Sequence, residues 1–296
     1  GYSLFYFFYL LAKLEKRPLR AYYKKCILLL KNSHEVPNLL GLTFAISVIL
    51  SVYTSWKMLI PTIVPYYLDP YLVQLDSWLH LGHTPWVVIH DLFSSPWATA
   101  TINFLYNFWF FLMWVFLITA MLLTPHPKLR ERILISFCLV WLINGGLFAT
   151  LLSSVGPTFY HLQYPGHDLF LPLITLLREQ NQYLEAHGSL VTIWAITTQD
   201  LLWETYRANH TELGSGISAM PSMHITIASL IAMSLSHYKK KLGILGWCYV
   251  IIIEIGSIDL AWHYAVDGYM ALLLTTLIWH AVGRWQRRYS INAANH

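Results

Sequence analysis

TATINFLYNFWFFLMWVFLITAMLLT, residues 99–124, contains no charged side chain and is rich in leucine and aromatic residues. A helix crosses the hydrocarbon core of a bilayer with about 20 predominantly apolar residues. This stretch is therefore predicted to span a membrane. The whole chain agrees, because 11% of its 296 residues are charged, against about 25% in a soluble domain. The composition excludes an ordinary soluble enzyme.

Other apolar runs of similar length are bounded by charged residues, proline or glycine. Together with the first they give six candidate spans: 39–59, 99–124, 133–154, 221–237, 242–261 and 266–284. The sequence thus predicts an all-α integral membrane protein with six transmembrane helices plus interfacial amphipathic helices. We divide it into an N-terminal basic interfacial segment (1–38), a six-span membrane domain (39–288) and a C-terminal tail (289–296).

Lysine and arginine are distributed unevenly between the segments that join these runs. Sixteen of the nineteen lie on one side if six spans alternate across the membrane, and the others are Lys57, Arg178 and Arg207. Cytoplasmic loops of multi-pass proteins carry the excess of basic residues. Both termini are therefore predicted to be cytoplasmic, and segments 60–98 and 155–220 extracytoplasmic. No basic patch is interleaved with aromatic residues on a polar background, so nucleic acid is not a predicted partner.

Two patterns predict where aromatic side chains of this membrane protein lie. In the segment Pro61–Trp97, leucines are interspersed with Asp76, Trp78 and His80, which predicts a helix lying in the membrane interface. The tryptophan and phenylalanine residues around 104–116 are interpreted as lipid-facing side chains.

Histidine is the side chain best suited to proton transfer near neutral pH, and the chain has 14 of them. His224 is one of two candidates at a predicted membrane face with suitable polar neighbours. It follows Pro221 and Ser222, which are helix-start signals, so it is predicted in the first turn of the fourth span. The free N–H groups of such a turn favour an anion.

His263 and Asp267 form the second candidate, at the junction of the fifth and sixth predicted spans. Spacing of four residues places both side chains on one face of a helix. The carboxylate can then accept a proton from one imidazole nitrogen and leave the other as a nucleophile or base. The predicted topology places His224 on the same side of the membrane.

These residues carry a resemblance to a known family. Pro221-Ser222-Met223-His224 followed by His263-x-x-x-Asp267 resembles the second and third signature motifs of the type 2 phosphatidic acid phosphatase superfamily, P-S-G-H and S-R-x5-H-x3-D. The chain is most similar to the branch of inositol phosphorylceramide synthases and other sphingolipid synthases. The resemblance covers mainly residues 214–284, with weaker support from Gly156-Pro157-Thr158-Phe159-Tyr160.

The resemblance implies a two-step phosphoryl transfer through a phosphohistidine on His263. Asp267 would orient His263, and His224 would protonate the leaving oxygen and later activate the acceptor hydroxyl or water. The residues expected to bind phosphate are Ser222, Arg207 and Arg178, and those expected to form the substrate pocket are Gly156, Pro157, Tyr160, Tyr264 and Asp168.

The chain departs from the family pattern in its cations. No K-x6-R-P precedes the second motif, and the arginine of the third motif corresponds to Ser257 or Ile258. Arg207, Arg178 and Lys57 are the only outer lysines or arginines, and we rank them in that order for phosphate binding. A site with so few cations favours a phosphodiester, which carries less charge than a phosphate monoester.

His80, His83, His90 and Asp91 have the residue types of a metal site. The tight turns and aromatic residues around them favour histidines of the membrane interface instead. No metal and no cofactor are predicted.

Three functions are weighed. The first is a membrane lipid phosphotransferase that moves a phosphoryl-alcohol or phosphate group from a lipid-linked donor to an alcohol acceptor at the extracytoplasmic face. The second is a lipid or polyprenyl phosphate phosphatase, which uses water as the acceptor. The third is a non-catalytic transporter or scaffold with the same fold. We expect the first, with membrane lipids as partners.

Overall fold

A computed structural model of the chain describes residues 20–21, 23–24, 35–122, 126–166, 168–208 and 216–294. Most of the predicted N-terminal segment lies outside these residues. Among these described residues, the α-helices of eight residues or more are α1 (Glu35–Ile63), α2 (Asp69–Leu79), α3 (Pro85–Leu92), α4 (Pro96–Asn107), α5 (Trp109–Leu122), α6 (Pro127–Val140), α7 (Leu171–Ala186), α8 (Trp194–Arg207), α9 (Met223–Tyr238), α10 (Lys240–Asp259) and α11 (Ala265–Ala294).

Other helical segments connect some of these elements. A π-helical segment, Trp141–Phe148, continues α6, and a last turn, Ala149–Leu151, ends it. The turns Pro157–Phe159 and Tyr160–Gln163 precede α7. The part of the chain that the structure describes contains no β-strand, which agrees with the predicted all-α class.

Five helical stretches are long and apolar enough to cross a membrane: Leu40–Ile63, Pro96–Leu122, Pro127–Leu151, Lys240–Asp259 and Ala265–Arg288. They overlap five of the predicted spans, so this is a multi-pass membrane protein. The outermost is α1, whose Leu40, Phe44 and Val52 are more than 60% exposed, as expected for side chains that face lipid.

The predicted count of six spans is not confirmed. The fourth predicted span, 221–237, corresponds to α9, which has 16 residues. At 1.5 Å per residue its length is about 24 Å, short of the ~30 Å of a hydrocarbon core. Its apolar character reflects burial within the protein, because Ile225, Ile227 and Leu230 are at most 1% exposed.

Helix α9 lies at the centre of the bundle, where it packs against α5, α6, α10 and α11. Its closest neighbour is α10, and small residues bring the two backbones together. A Cβ atom at Gly246 would lie 2.8 Å from Cα of Ala232, and one at Gly243 would lie 2.7 Å from Cα of Ser236. Small residues at such crossings allow close packing of membrane helices.

Helices α2, α3 and α7 lie outside the candidate spans and pack onto the bundle. They contact α11, α10 and α4, respectively. Since α2 contacts α11 and α3 contacts α10, both lie against the pair of helices that the turn 260–264 connects. This turn and the start of α9 carry the candidate histidines.

Candidate active site

His263 and Asp267 meet as the four-residue spacing predicts. Nδ1 of His263 lies 3.3 Å from Oδ2 of Asp267, and the same oxygen accepts the backbone N–H of Tyr264 at 3.1 Å. His263 is 8% exposed and Asp267 is fully buried. A buried carboxylate that receives Nδ1–H fixes the tautomer of the imidazole and leaves Nε2 free to react.

A tight turn after α10 delivers His263 to the site. The backbone N–H groups of Trp262 and His263 both donate to the carbonyl oxygen of Ser257, at 2.9 and 3.0 Å. Ala261 adopts a positive φ of 60°, a conformation that costs a non-glycine residue of order 1–3 kcal/mol and is held by the surrounding structure. The surrounding structure therefore imposes the conformation of this turn, and the turn sets the position of His263.

His224 lies in the first turn of α9, as predicted. Ser222 is the N-cap, and its hydroxyl accepts the backbone N–H of Ile225 at 3.5 Å. The imidazole stacks on Tyr106 at 4.4 Å between ring centroids and lies 4.5 Å from the ring of Trp109. Nε1 of Trp109 also donates to the carbonyl oxygen of His224 at 3.1 Å.

These contacts correct the interpretation of residues 104–116 as lipid-facing. Phe110 and Phe111 are more than half exposed, whereas Tyr106 and Trp109 are 3% and 2% exposed. One side of the α4–α5 stretch is exposed as expected for lipid contact, and the other side packs against His224. An all-apolar composition does not reveal this division, because both sides are apolar.

The rings of His224 and His263 are neighbours, since their centroids lie 6.2 Å apart and their planes are inclined by 63°. Two imidazoles this close can act on one reacting group, one as a nucleophile and the other as a proton carrier.

The segment around Gly156 and Pro157 holds the two histidine-bearing loops together. The N–H of Ala219 donates to Ser154 O at 3.0 Å, and the N–H of Thr158 donates to Ala261 O at 3.0 Å. Gly156 has a φ of +83°, and a Cβ atom there would lie 2.9 Å from Cβ of Ala219 and 3.1 Å from Trp262 O. Only glycine fits at this position.

Asp69, at the start of α2, is the anchor of this arrangement and was missed by the sequence analysis. Its fully buried carboxylate accepts hydrogen bonds from four groups in segment 154–164 and from one group in the turn 260–264. The donors are Ser154 Oγ at 2.8 Å, Val155 N at 3.0 Å, Gly156 N at 2.9 Å, Tyr164 Oη at 3.2 Å and Tyr264 Oη at 3.1 Å. The only signal in the sequence is an Asp-Pro pair that opens a helix.

Asp76, two turns further along α2, caps the start of α11. It is 6% exposed and accepts the N–H groups of Ala265 and Val266 at 3.0 and 2.9 Å. Burial raises the pKa of Asp76, while these two backbone donors oppose the shift. The prediction that this part of the chain is only an interfacial helix is therefore incomplete, although Trp78 on the same helix is 75% exposed.

Four of the five predicted pocket residues are buried and one is exposed. Tyr160 and Tyr264 are buried at 4% and 2% exposure, and each packs edge-on against Phe170 at 5.7 Å. Gly156 and Pro157 are buried in the segment described above. Asp168 is exposed, so it is the one pocket candidate on the surface.

The three outer cations differ most clearly in their surroundings. Arg178 forms a bidentate ion pair with Asp200 in which both side chains are 47% exposed. Arg207 is exposed at the last turn of α8. Within the described residues, no hydrogen bond or ion pair joins either arginine to a histidine of the site.

Of the three outer cations, Lys57 of α1 is the one whose charge acts on the histidines of the site, although the sequence analysis ranked it last for phosphate binding. Its positive charge acts on both His224 and His263. The segment that leads to Ser222 crosses α1 at this point, since a Cβ atom at Gly216 would lie 3.1 Å from the carbonyl carbon of Lys57. Within the described residues, no carboxylate forms an ion pair with Lys57.

Burial lowers the pKa of His263 to about 3, and the charge of Lys57 acts in the same direction. His263 is therefore neutral at pH 7, the state in which an imidazole nitrogen can attack. Because the unfolded histidine would bind a proton below its ordinary pKa of about 6.5, the folded state loses stability as the pH falls from there toward 3.

Two of the histidines considered for a metal site, His80 and His90, have other partners. His80 bonds to Asp76 O at 2.6 Å and to Tyr269 Oη at 3.0 Å. Nδ1 of His90 lies 3.4 Å from the buried carboxylate of Asp259. The described parts of the chain contain no group of three or more His, Cys, Asp or Glu side chains arranged to hold a metal ion.

Comparison with known proteins identifies the family. A family model described as PAP2 superfamily matches residues 70–281, which include both histidines, Asp267 and the Asp69-bonded segment. The chain belongs to the PAP2 superfamily. No curated protein and no solved structure matches it significantly.

Membership of the PAP2 superfamily makes this protein a phosphatase or phosphotransferase, with phosphorylated lipid-type substrates. The matched region contains Pro221-Ser222-Met223-His224 and His263-x-x-x-Asp267. Met223 stands where the superfamily motif has glycine. A Cβ atom at Gly145, on the π-helical segment, would lie 2.6 Å from the ring of Tyr53 and 3.3 Å from the sulfur of Met223, so glycine there leaves room chiefly for Tyr53 and also for Met223.

Proposed function

We propose that this PAP2-superfamily enzyme is a lipid phosphotransferase that works through a phosphohistidine on His263. The observation that carries the proposal is the neighbouring pair of imidazoles of His224 and His263, whose ring centroids lie 6.2 Å apart. The buried Asp267 holds Nδ1 of His263. The pair provides a nucleophile and a proton carrier for one phosphorus atom.

In the first step, Nε2 of His263 attacks phosphorus and the bond from phosphorus to the leaving oxygen breaks. Protonated His224 gives its proton to that oxygen, so the leaving alcohol departs neutral. An anionic substrate between the rings favours the protonated form of His224 when the complex forms. Asp267 stabilises the positive charge that develops on His263.

In the second step, neutral His224 accepts the proton of the acceptor hydroxyl. The acceptor oxygen attacks phosphorus, the bond between phosphorus and nitrogen breaks, and His263 returns to its neutral state. Both histidines thereby regain their starting protonation. Ser222 and the free N–H groups at the start of α9 stabilise the phosphoryl oxygens during both steps.

The charge of the site favours a phosphodiester donor over a phosphate monoester. Lys57 is the one cation whose charge acts on both histidines in the described structure. A diester carries one negative charge near phosphorus, whereas a monoester carries up to two. We therefore infer that the group transferred is a phosphoryl-alcohol, as in the sphingolipid-synthase-like branch, and that the acceptor is an alcohol.

A lipid or polyprenyl phosphate phosphatase is the second candidate. It needs the same histidines, and water replaces the alcohol in the second step. If six spans alternate across the membrane, 16 of the 19 lysines and arginines lie on the other side from the histidines, and this distribution favours an extracytoplasmic site for either reaction.

Product analysis tests the choice between these reactions. Purified protein in lipid nanodiscs is supplied with a lipid-linked phosphodiester labelled in its headgroup, alone or with inositol, a sugar or ceramide. A parallel reaction contains a lipid phosphate monoester with the same acceptors. We expect label in a new phosphodiester that forms only with an acceptor. Release of inorganic phosphate from a lipid monoester, without transfer to any acceptor, would establish the phosphatase instead.

Lys57→Gln is expected to lower kcat/KM by roughly 10- to 100-fold, because a hydrogen bond to a charged group contributes about 1.5–3 kcal/mol. Lys57→Arg keeps the charge and is expected to retain more activity. Arg178→Gln is the matched control, since Arg178 already has Asp200 as its partner. A larger loss in Arg178→Gln or Arg207→Gln than in Lys57→Gln would assign phosphate binding to that arginine.

A further inference from the structure

A basic cavity lies at the other end of the bundle from the histidines. It has a volume of about 250 Å³ and is lined by Lys128, Leu129, Arg132, His237, Gly283, Gln286 and Arg287. His237 is 13 residues after His224 on α9, which corresponds to about 20 Å along the helix. Gly283 is 16 residues after Asp267 on α11, or about 24 Å. The cavity is therefore separate from the catalytic site.

Arg132 is held in place at the floor of this cavity. Its Nε and Nη2 donate to Trp279 O at 3.2 and 2.8 Å, and Nη1 lies 3.3 Å from Nε2 of His237. The guanidinium also stacks on the ring of Trp279, 4.0 Å from its centroid. A Cβ atom at Gly283 would lie 2.6 Å from the guanidinium carbon, so glycine allows Arg132 to cross α11.

The positive charges of the cavity have no acidic partner in the described structure. Lys128, Arg132 and Arg287 face one cavity, and none of them forms an ion pair among the described residues. Glu131, the nearest carboxylate in sequence, instead accepts a hydrogen bond from Gln286 at 3.0 Å. Three cations placed together without a counter-charge form a site for an anion.

The position of the cavity along the helices indicates the source of that anion. Two candidate spans end here, because Pro127–Leu151 begins beside Lys128 and Ala265–Arg288 ends beside Arg287. Side chains at the ends of spans lie at the level of lipid headgroups, where basic pockets between helices bind anionic headgroups. Leu129 in the lining suits the glycerol and first acyl carbons.

We propose that this cavity binds the phosphate group of an anionic phospholipid, at a site distinct from the catalytic histidines. Arg132 supplies a fixed guanidinium, and Lys128 and Arg287 close around the phosphate oxygens from α6 and α11. A bound lipid would join these two helices at their shared end of the bundle.

Lipid binding by purified full-length protein tests this proposal. Delipidated protein is titrated with phosphatidylglycerol, phosphatidylcholine or inorganic phosphate, and bound molecules are counted by native mass spectrometry. The double variant Lys128→Gln/Arg287→Gln is compared with Arg130→Gln/Arg284→Gln. The control removes the same charge at the same end of the protein from exposed residues that do not line the cavity.

We expect one phosphatidylglycerol to bind the unchanged protein and the control variant, and to bind at least about tenfold more weakly when the two cavity cations are removed. Phosphatidylcholine is expected to bind weakly to all three proteins. Equal weakening in both double variants would overturn the proposal, because it would reflect net charge alone. Full displacement of the lipid by millimolar inorganic phosphate would also overturn it, in favour of a soluble anion.

Discussion

His263→Ala is expected to reduce turnover by at least about 10³-fold, to the rate of the uncatalysed side reactions. The physical reason is that Nε2 of His263 is the only atom in the proposed mechanism that bonds to phosphorus from the protein. The loss should fall on kcat, and lipid binding should persist because Lys57 and Ser222 remain. The measurement is turnover of the lipid donor, with substrate binding determined separately.

The covalent intermediate on His263 provides a second test of the same prediction, because it can be trapped and detected. Brief reaction with a donor labelled in its phosphoryl group, followed by quenching, should leave base-stable, acid-labile label on the unchanged protein and none on His263→Ala. His280→Ala, which removes an exposed histidine from the same helix α11, is the matched control and should retain the label. Label that persists in folded His263→Ala would place the nucleophile elsewhere.

Gly156→Ala is expected to impair both stability and activity. The new methyl group would lie 2.9 Å from Cβ of Ala219 and 3.1 Å from Trp262 O, and the residue would need a φ of +83°. Positive φ costs a non-glycine residue about 1–3 kcal/mol, and overpacking adds about 1–3 kcal/mol. The clash pushes apart the loops that carry His224 and His263, so kcat should fall with the melting temperature.

Gly166→Ala separates the two causes. Gly166 has almost the same φ, +86°, but a Cβ atom there meets nothing within 4 Å. Gly166→Ala therefore measures the cost of a positive φ without a steric contact. We expect a smaller fall in melting temperature for Gly166→Ala and nearly unchanged kcat. Equal effects of the two substitutions on kcat would show that the close approach of Gly156 to Ala219 and Trp262 does not position the histidines.

The membrane class and the histidine pair could be predicted from the sequence because both depend on local patterns. Length and apolar character predict spans, as residues 99–124 do for α4 and α5. The spacing of His263 and Asp267 predicts their contact, since a helix fixes the distance between residues four apart. The count of six spans was less secure, because α9 is apolar through burial among other helices.

Contacts between distant parts of the chain could not be predicted. Asp69 is 195 residues before its partner Tyr264, and Asp76 is 189 residues before Ala265. Lys57 acts on histidines whose loops come from α9 and from the turn after α10. No local sequence pattern marks Asp69, Asp76 or Lys57 as part of the site. Their contacts with it, or their effect on its charge, follow from the packing of α1 and α2 on the bundle.

The carboxylate of Asp69 also has a consequence for how the enzyme is built. It belongs to a helix outside the candidate spans, yet it accepts hydrogen bonds from both segment 154–164 and the turn 260–264. The spanning helices carry His224 and His263 into the same region, and α2 holds the two connecting segments to each other. Insertion of the spanning helices alone therefore does not set the geometry of the site, because that geometry also depends on the docking of α2.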